Sequence, residues 1–128
     1  MRNTIIILIT LVLIALVIVE QVFIDNTFNE LEIFASNLKT DIAEQSEIST
    51  ENITEQIDNL YNFWNVKESL LCLTINHKDL DKIGEQIDKL KTYIFEDNKE
   101  YAVYELNVLI FYINSYQNIT AVSFKNIL

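Results

Sequence analysis

Ile5 to Ile24 reads IIILITLVLIALVIVEQVFI, and this stretch decides where the rest of the chain is placed. Its one charge is Glu20, and nothing before that residue is more polar than Thr10. At about 1.5 Å of rise per residue, a helix over the whole stretch spans roughly 30 Å, the hydrocarbon thickness of a bilayer. Ile5 to Val19 alone would reach only about 22 Å. Glu20 is therefore expected at the far interface with Gln21 beside it, and Val22, Phe23 and Ile24 still at the boundary. An ionisable group near lipid is a functional suspect by default, but this edge position lets the carboxylate reach water.

A cleavable signal needs small residues just after its apolar core. Here the core runs into VIVEQVF, which has none, so an uncleaved anchor is expected. Cys72 is the single cysteine and too far downstream for lipid modification of a leader. The single glycine, Gly84, sets aside a pilin-like leader. Arg2 precedes the span, whereas the next basic residue after it is Lys39, with Asp25, Glu30 and Glu32 between. The positive-inside rule then keeps the N-terminus in the cytoplasm and sends residues 25–128 outside. The expected division is a transmembrane anchor over 1–24 and an extracytoplasmic helical domain over 25–128, in a single-pass protein of the cell membrane.

Removing Arg2 and Glu20 leaves 18 acidic and 8 basic side chains after the anchor, so that part carries the whole net charge of −10. Such a surface repels nucleic acid and anionic headgroups. There is no proline. Without the usual punctuation of sheets and turns, and with frequent Leu, Ile, Glu and Lys, the chain reads as all-α. A lone cysteine forms no internal disulfide, so the domain relies on packing. In the run LLCL, Cys72 reads as a small buried hydrophobe.

Beyond the anchor the pattern continues without a breaker. Ile24, Phe28, Leu31, Ala35, Leu38 and Ile42 repeat at 4-3-4-3-4, a heptad seam. One long helix is expected from about Thr4 to Glu47, its seam packed against later helices of the same chain rather than forming a free coiled coil. SEISTEN (46–52) breaks the pattern, with Ser49 or Thr50 as N-cap. A second helix carries Ile53, Ile57, Leu60, Trp64, Leu71 and Ile75, but its seam is interrupted at Lys67, which marks a kink, an end or a snorkelling lysine stem. Asp79 opens a third helix, with Leu80, Ile83, Ile87, Leu90 and Ile94 on one face. After Asp97-Asn98-Lys99 a fourth carries Ala102, Leu106, Leu109, Ile113 and Tyr116. A second apolar stripe on that helix, Tyr101, Tyr104, Val108 and Phe111, means that it is either central in its bundle or meets a partner; centrality is the first expectation. It is no second span, because its longest apolar run, Val108 to Ile113, is too short. The fold class expected is one transmembrane helix continuing into a long helix that packs with about three antiparallel ones.

No motif carries chemistry. His77 and Asp79 suggest an acid–base or metal pair, yet one imidazole and one thiol do not make a zinc site, and a junction histidine is the simpler reading. Asp79, Asp81 and Gly84 begin like a calcium loop, but Ile83 and Leu90 stand where oxygen ligands are needed. There is no glycine-rich loop and no nucleophile with a histidine partner. No catalytic residue, cofactor or metal is expected, and the protein is read as no enzyme. Trp64 reads as a core or interface aromatic.

With these elements laid out, the chain resembles a bacterial family known as domain of unknown function 4363. The resemblance rests on the anchor, on Trp64 followed by LLCLTINHKDLDKI (Leu70 to Ile83), on IDKLKTYIFEDNKEYAVYELNVL (Ile87 to Leu109) and on the closing SFKNIL (Ser123 to Leu128). It implies a small protein with one N-terminal span and a helical domain, and supplies no catalytic residues. The tyrosine-rich, charge-poor fourth helix departs from it, where more Glu and Lys are expected.

The leading expectation is a membrane-tethered interaction or accessory module. Its contacts would be lipid through the first helix, and a homo-oligomer or multi-span membrane protein through Tyr101, Tyr104, Val108 and Phe111. Nucleic acid is not among them. Two alternatives are a small-ligand sensor bundle with a pocket near Trp64 and His77, acting with a partner subunit, and an envelope or division scaffold.

Overall fold

The apolar stretch and the heptad seam form one helix, α1 (Arg2–Glu44), 43 residues without interruption. The computed structural model describes the backbone of residues 1–127 and the side chains of residues 1–118; the side chains of SFKNIL lie outside the described residues. The two halves of α1 meet different surroundings. Every residue from Met1 to Glu20 is exposed, and the first buried one is Ile24. From there Ile24, Phe28, Leu31, Ala35, Leu38 and Ile42 are all buried, as the seam requires. Thr27 joins them by donating its hydroxyl back to the Phe23 carbonyl (2.8 Å), which satisfies a polar group on the buried face.

Three antiparallel helices complete an all-α, four-helix bundle: α2 (Glu51–Leu71), α3 (His77–Phe95) and α4 (Lys99–Ile127). Each packs on its neighbours in the order α1, α2, α3, α4 and back to α1, so that α1 and α3 stand diagonally opposite, as do α2 and α4. One core runs along the centre, including Ile57, Leu60, Trp64, Ile87, Leu90, Leu106 and Leu109. Residues expected on the inner faces of α2, α3 and α4 are buried there, except Tyr116, which is half-buried, and Ile75, which falls beyond the end of α2 at Leu71 and is half-buried in the turn.

The helix ends differ from the sequence reading in instructive ways. α1 stops at Glu44 rather than Glu47, because Gln45 turns extended and Ile48 folds inward to complete exclusion from solvent. That loop isoleucine fits no helical period, so only the fold reveals it as core. α2 begins after Thr50, whose hydroxyl oxygen accepts from the Ile53 amide (3.4 Å). It runs through Lys67 without ending there. The lysine ammonium lies 5.2 Å from the Phe23 ring centre and 5.7 Å from that of Phe63, so the break in the seam is a snorkelling stem whose charge rests on two aromatic faces. α3 starts two residues earlier than Asp79, capped by Asn76, whose Oδ1 accepts from the Lys78 amide (2.9 Å). α4 is a corner of the square and not its centre, so the expectation of centrality fails: its second stripe faces outward, with Tyr101, Tyr104 and Phe111 exposed.

At the end away from the apolar stretch, two polar contacts tie the loops together. Asp97, in the left-handed region at φ 55°, accepts from the amides of Ile48 (2.7 Å) and Ser49 (3.1 Å) through one carboxylate oxygen. The Lys99 ammonium donates to the Gln45 carbonyl (2.7 Å), closing the C-terminal end of α1 with a positive charge where the helix dipole favours one. Replacing Asp97 by Ala should destabilise the bundle by about 1–3 kcal/mol, since it orphans two amides and leaves a side chain less tolerant of positive φ. Asp97→Asn keeps both an acceptor and the tolerance, and should lose clearly less; urea unfolding of the full chain in micelles, followed by circular dichroism, checks the order.

Candidate functional site

Two surface features stand out from the bundle. The first is the aromatic stripe on α4. Tyr101, Tyr104, Val108 and Phe111 recur at 3-4-3 along one face, which helical geometry gathers into a strip. Tyr101, Tyr104 and Phe111 are 54%, 63% and 66% exposed, and Val108 is half-buried between them and the core. The strip is partly organised in advance. Tyr101 stacks on Tyr93 of α3 (5.2 Å between centroids, planes 21° apart), and Phe111 leans on Tyr112 (6.1 Å). Beside Tyr93 and Tyr104 lies a shallow depression flanked by Glu100 and Glu105. Exposed tyrosines give large apolar contact with a hydroxyl still able to bond, and aromatic side chains of this kind are enriched where proteins associate.

The second feature is an acidic groove of about 230 Å³ between α2 and α3. Asp81, Glu85 and Asp88 follow a 4-3 spacing on α3, and Glu68 faces them from α2. Trp64 forms part of the wall. Its ring is buried, with Nε1 lacking a hydrogen-bond partner among the described residues. The indole lies so close to α3 that a Cβ on Gly84 would come within 3.3 Å of Nε1. A side chain at this position would make Trp64 give way by a few tenths of an ångström, whereas glycine at mid-helix costs about 1 kcal/mol relative to alanine. Partial burial, then the negative charges of Asp81 and Asp88, raise the pKa of Glu68 above its ordinary value, while His77 pulls the other way.

His77 does not join Trp64 at a common site. It is exposed in the first turn of α3, outside the groove lining, with Nδ1 3.6 Å from the sulfur of Cys72. Cys72 is half-buried rather than fully enclosed as the apolar run around it suggested, because it lies where α2 ends and the chain turns. Asp79 turns instead to Tyr116, whose hydroxyl bonds its carboxylate. Burial first, and then that bond and charge, push the Tyr116 pKa up to about 12. The Tyr116 ring also stacks on Phe28 (5.7 Å), so α1, α3 and α4 are joined at this level. Among the described residues, no group of three or more His, Cys, Asp and Glu is placed to hold a metal ion.

Of the pocket expected near Trp64 and His77, Trp64 lines this groove and His77 does not, and the acidic lining escaped the sequence reading. Asp81, Glu85 and Asp88 look there like ordinary solvated charges around the third helix, and only the approach of α2 with Glu68 gathers them. The signal that existed was the one glycine set among them on a helical face.

A pH dependence follows from Glu68. Its folded pKa lies above the unfolded one, so the folded state holds the proton more tightly. The stabilisation from this group is complete at pH values below its unfolded pKa and fades as pH rises from about 4.5 through the raised folded value. Glu68→Gln removes that dependence, so the stability difference between variant and wild type should grow in favour of the variant across this window. Urea midpoints measured at several pH values would show it; a difference that stays flat contradicts the assignment.

Compared with known proteins, residues 19–127 match the model of a family described as domain of unknown function (DUF4363). No curated protein and no solved structure matches the chain.

Proposed function

We propose that this chain, which belongs to the DUF4363 family, is a membrane-anchored, non-enzymatic accessory module whose bundle stands outside the cytoplasmic membrane and holds a protein partner. The observation that carries the reading is the pairing of two unsatisfied apolar surfaces on a folded bundle. The first half of α1 is long and apolar enough to cross a membrane, and none of its most apolar window is buried. A core helix of a water-soluble protein would hide that window, so lipid is the surrounding that fits it. The second surface is the stripe Tyr101, Tyr104 and Phe111, which the bundle leaves open. Arg2 before the span and acidic residues after it favour an N-terminus in the cytoplasm. The partner is a second copy or a multi-span membrane protein, because a tethered surface meets neighbours in the same membrane first.

A scaffold built on a free coiled coil fits less well, since the α1 seam is consumed by the chain's own helices. The sensor reading draws support from the groove at Trp64, with its ligand class narrowed to cations by Glu68, Asp81, Glu85 and Asp88.

A photo-crosslinker placed at Tyr104 in native membranes should trap a specific second protein, and the same label at exposed Lys89 on α3 should not; monomer alone at Tyr104 would count against the proposal. For the sensor, Trp64 is the one tryptophan and reports on the groove directly. Its emission should shift on titration with spermidine and fail to shift in a Glu68→Gln, Glu85→Gln variant, and no response in the wild type removes that reading.

A further inference from the structure

The end of α2 presents a second apolar patch: Val66 and Leu70, one turn apart on the helix, and Leu73 in the turn beyond it, are 63%, 49% and 82% exposed. Its height in the fold is fixed by the antiparallel pairing with α1. Phe63 meets Phe34 (5.2 Å between centroids), and one turn further along α2 the Lys67 ammonium reaches the Phe23 ring. The helix ends at Leu71, so Leu70 and Leu73 stand beside the part of α1 where burial gives way, at Ile24, to complete exposure. Val66 to Lys78 holds two lysines and one glutamate, with Asp79 and Asp81 following on α3 and Asp25 next to Ile24 on α1, whereas Asp41 to Asp58, at the opposite end, holds six carboxylates and no basic residue.

We propose that the α2–α3 turn is a second membrane contact, with Leu70 and Leu73 entering the interfacial layer of the bilayer that α1 crosses. The proposal rests on the anchored reading of α1. Lipid is the occupant because the patch continues the exposed apolar surface of α1 at the level where the span ends. A hydrocarbon core of roughly 30 Å requires α1 through about Ile24, which brings Leu73 to its edge. The headgroup layer adds about 5–7 Å on each side, which takes in Leu70 one turn higher. Lys67, with its stem along two aromatic rings, is placed to meet phosphate groups at that depth. The six carboxylates between Asp41 and Asp58 are kept farthest from anionic headgroups in the upright pose that the apolar contact favours.

The test uses the full chain with Cys72→Ser, carrying one nitroxide at a time through Leu73→Cys, Ile14→Cys or Tyr104→Cys, in phosphatidylcholine–phosphatidylglycerol vesicles at high lipid dilution. Accessibility to oxygen and to a water-soluble nickel chelate reads depth. The label at 73 should read a depth between the other two, less oxygen-rich than the label at 14 and favouring oxygen several-fold over the label at 104. A lipid-like signal at 14 with a water-like signal at 73 overturns the second contact and leaves the anchor standing. A water-like signal at 14 removes the anchor, and the inference with it. Spectral broadening at 73 that vanishes on mixing with unlabelled protein assigns the patch to a second copy instead, which also overturns the proposal.

Discussion

The six seam residues of α1 from Ile24 to Ile42 are the surface on which the other helices are assembled. α2 and α4 each pack on α1, and α3 closes the square by packing on those two alone. Loss of the seam would leave α2, α3 and α4 as three amphipathic helices with an open apolar face, a poor structure in water. The seam also begins where the fully exposed apolar stretch stops, so one unbroken helix changes its surroundings at Ile24. This arrangement sets the orientation of everything else: the turn between α2 and α3 lies beside the apolar half, and the loops after α1 and α3 lie at the far end.

Polar contacts do less to create the bundle than to fix its register. Asp97 holds the amides of Ile48 and Ser49, and Lys99 closes α1, so both far-end loops are tied to each other. Midway along, the side-chain nitrogen of Gln86, almost fully buried, donates to the Glu105 carbonyl (2.9 Å) and so locks α3 against α4. Lys91 bridges to Asp58 (3.0 Å) while lying over the Tyr61 ring (4.5 Å), which locks α3 against α2. Each of these contacts joins two helices or the loops at their ends, where a sliding register would break it.

Helical spacing made the core legible. Seam positions on α1, α2, α3 and α4 could be read because each repeats every three or four residues, and burial obeys that repeat. What depends on a second chain segment was not legible. Ile48 sits in a loop with no period. Lys67 looks like a defect until Phe23 and Phe63 are brought beneath it. Two apolar stripes on α4 do not say whether the second is covered, because that depends on how many neighbours the helix has, and a corner helix has two. The acidic groove likewise exists only once α2 sets Glu68 against α3. The aromatic stripe was legible whole and the groove only through Trp64, since a stripe belongs to one helix and a groove to a pair.

The continuity of α1 has a mechanical consequence. No glycine or proline separates its exposed half from its packed half, and the helix runs through uninterrupted, so on the anchored reading proposed above there is no swivel between span and bundle. A helix in a bilayer thinner than its apolar length tilts to hide the excess. Here the bundle would tilt with it as one rigid body, lowering one flank toward the membrane and raising the other. The thickness of the surrounding lipid would then help decide which flank of the bundle faces a neighbour in the plane of the membrane.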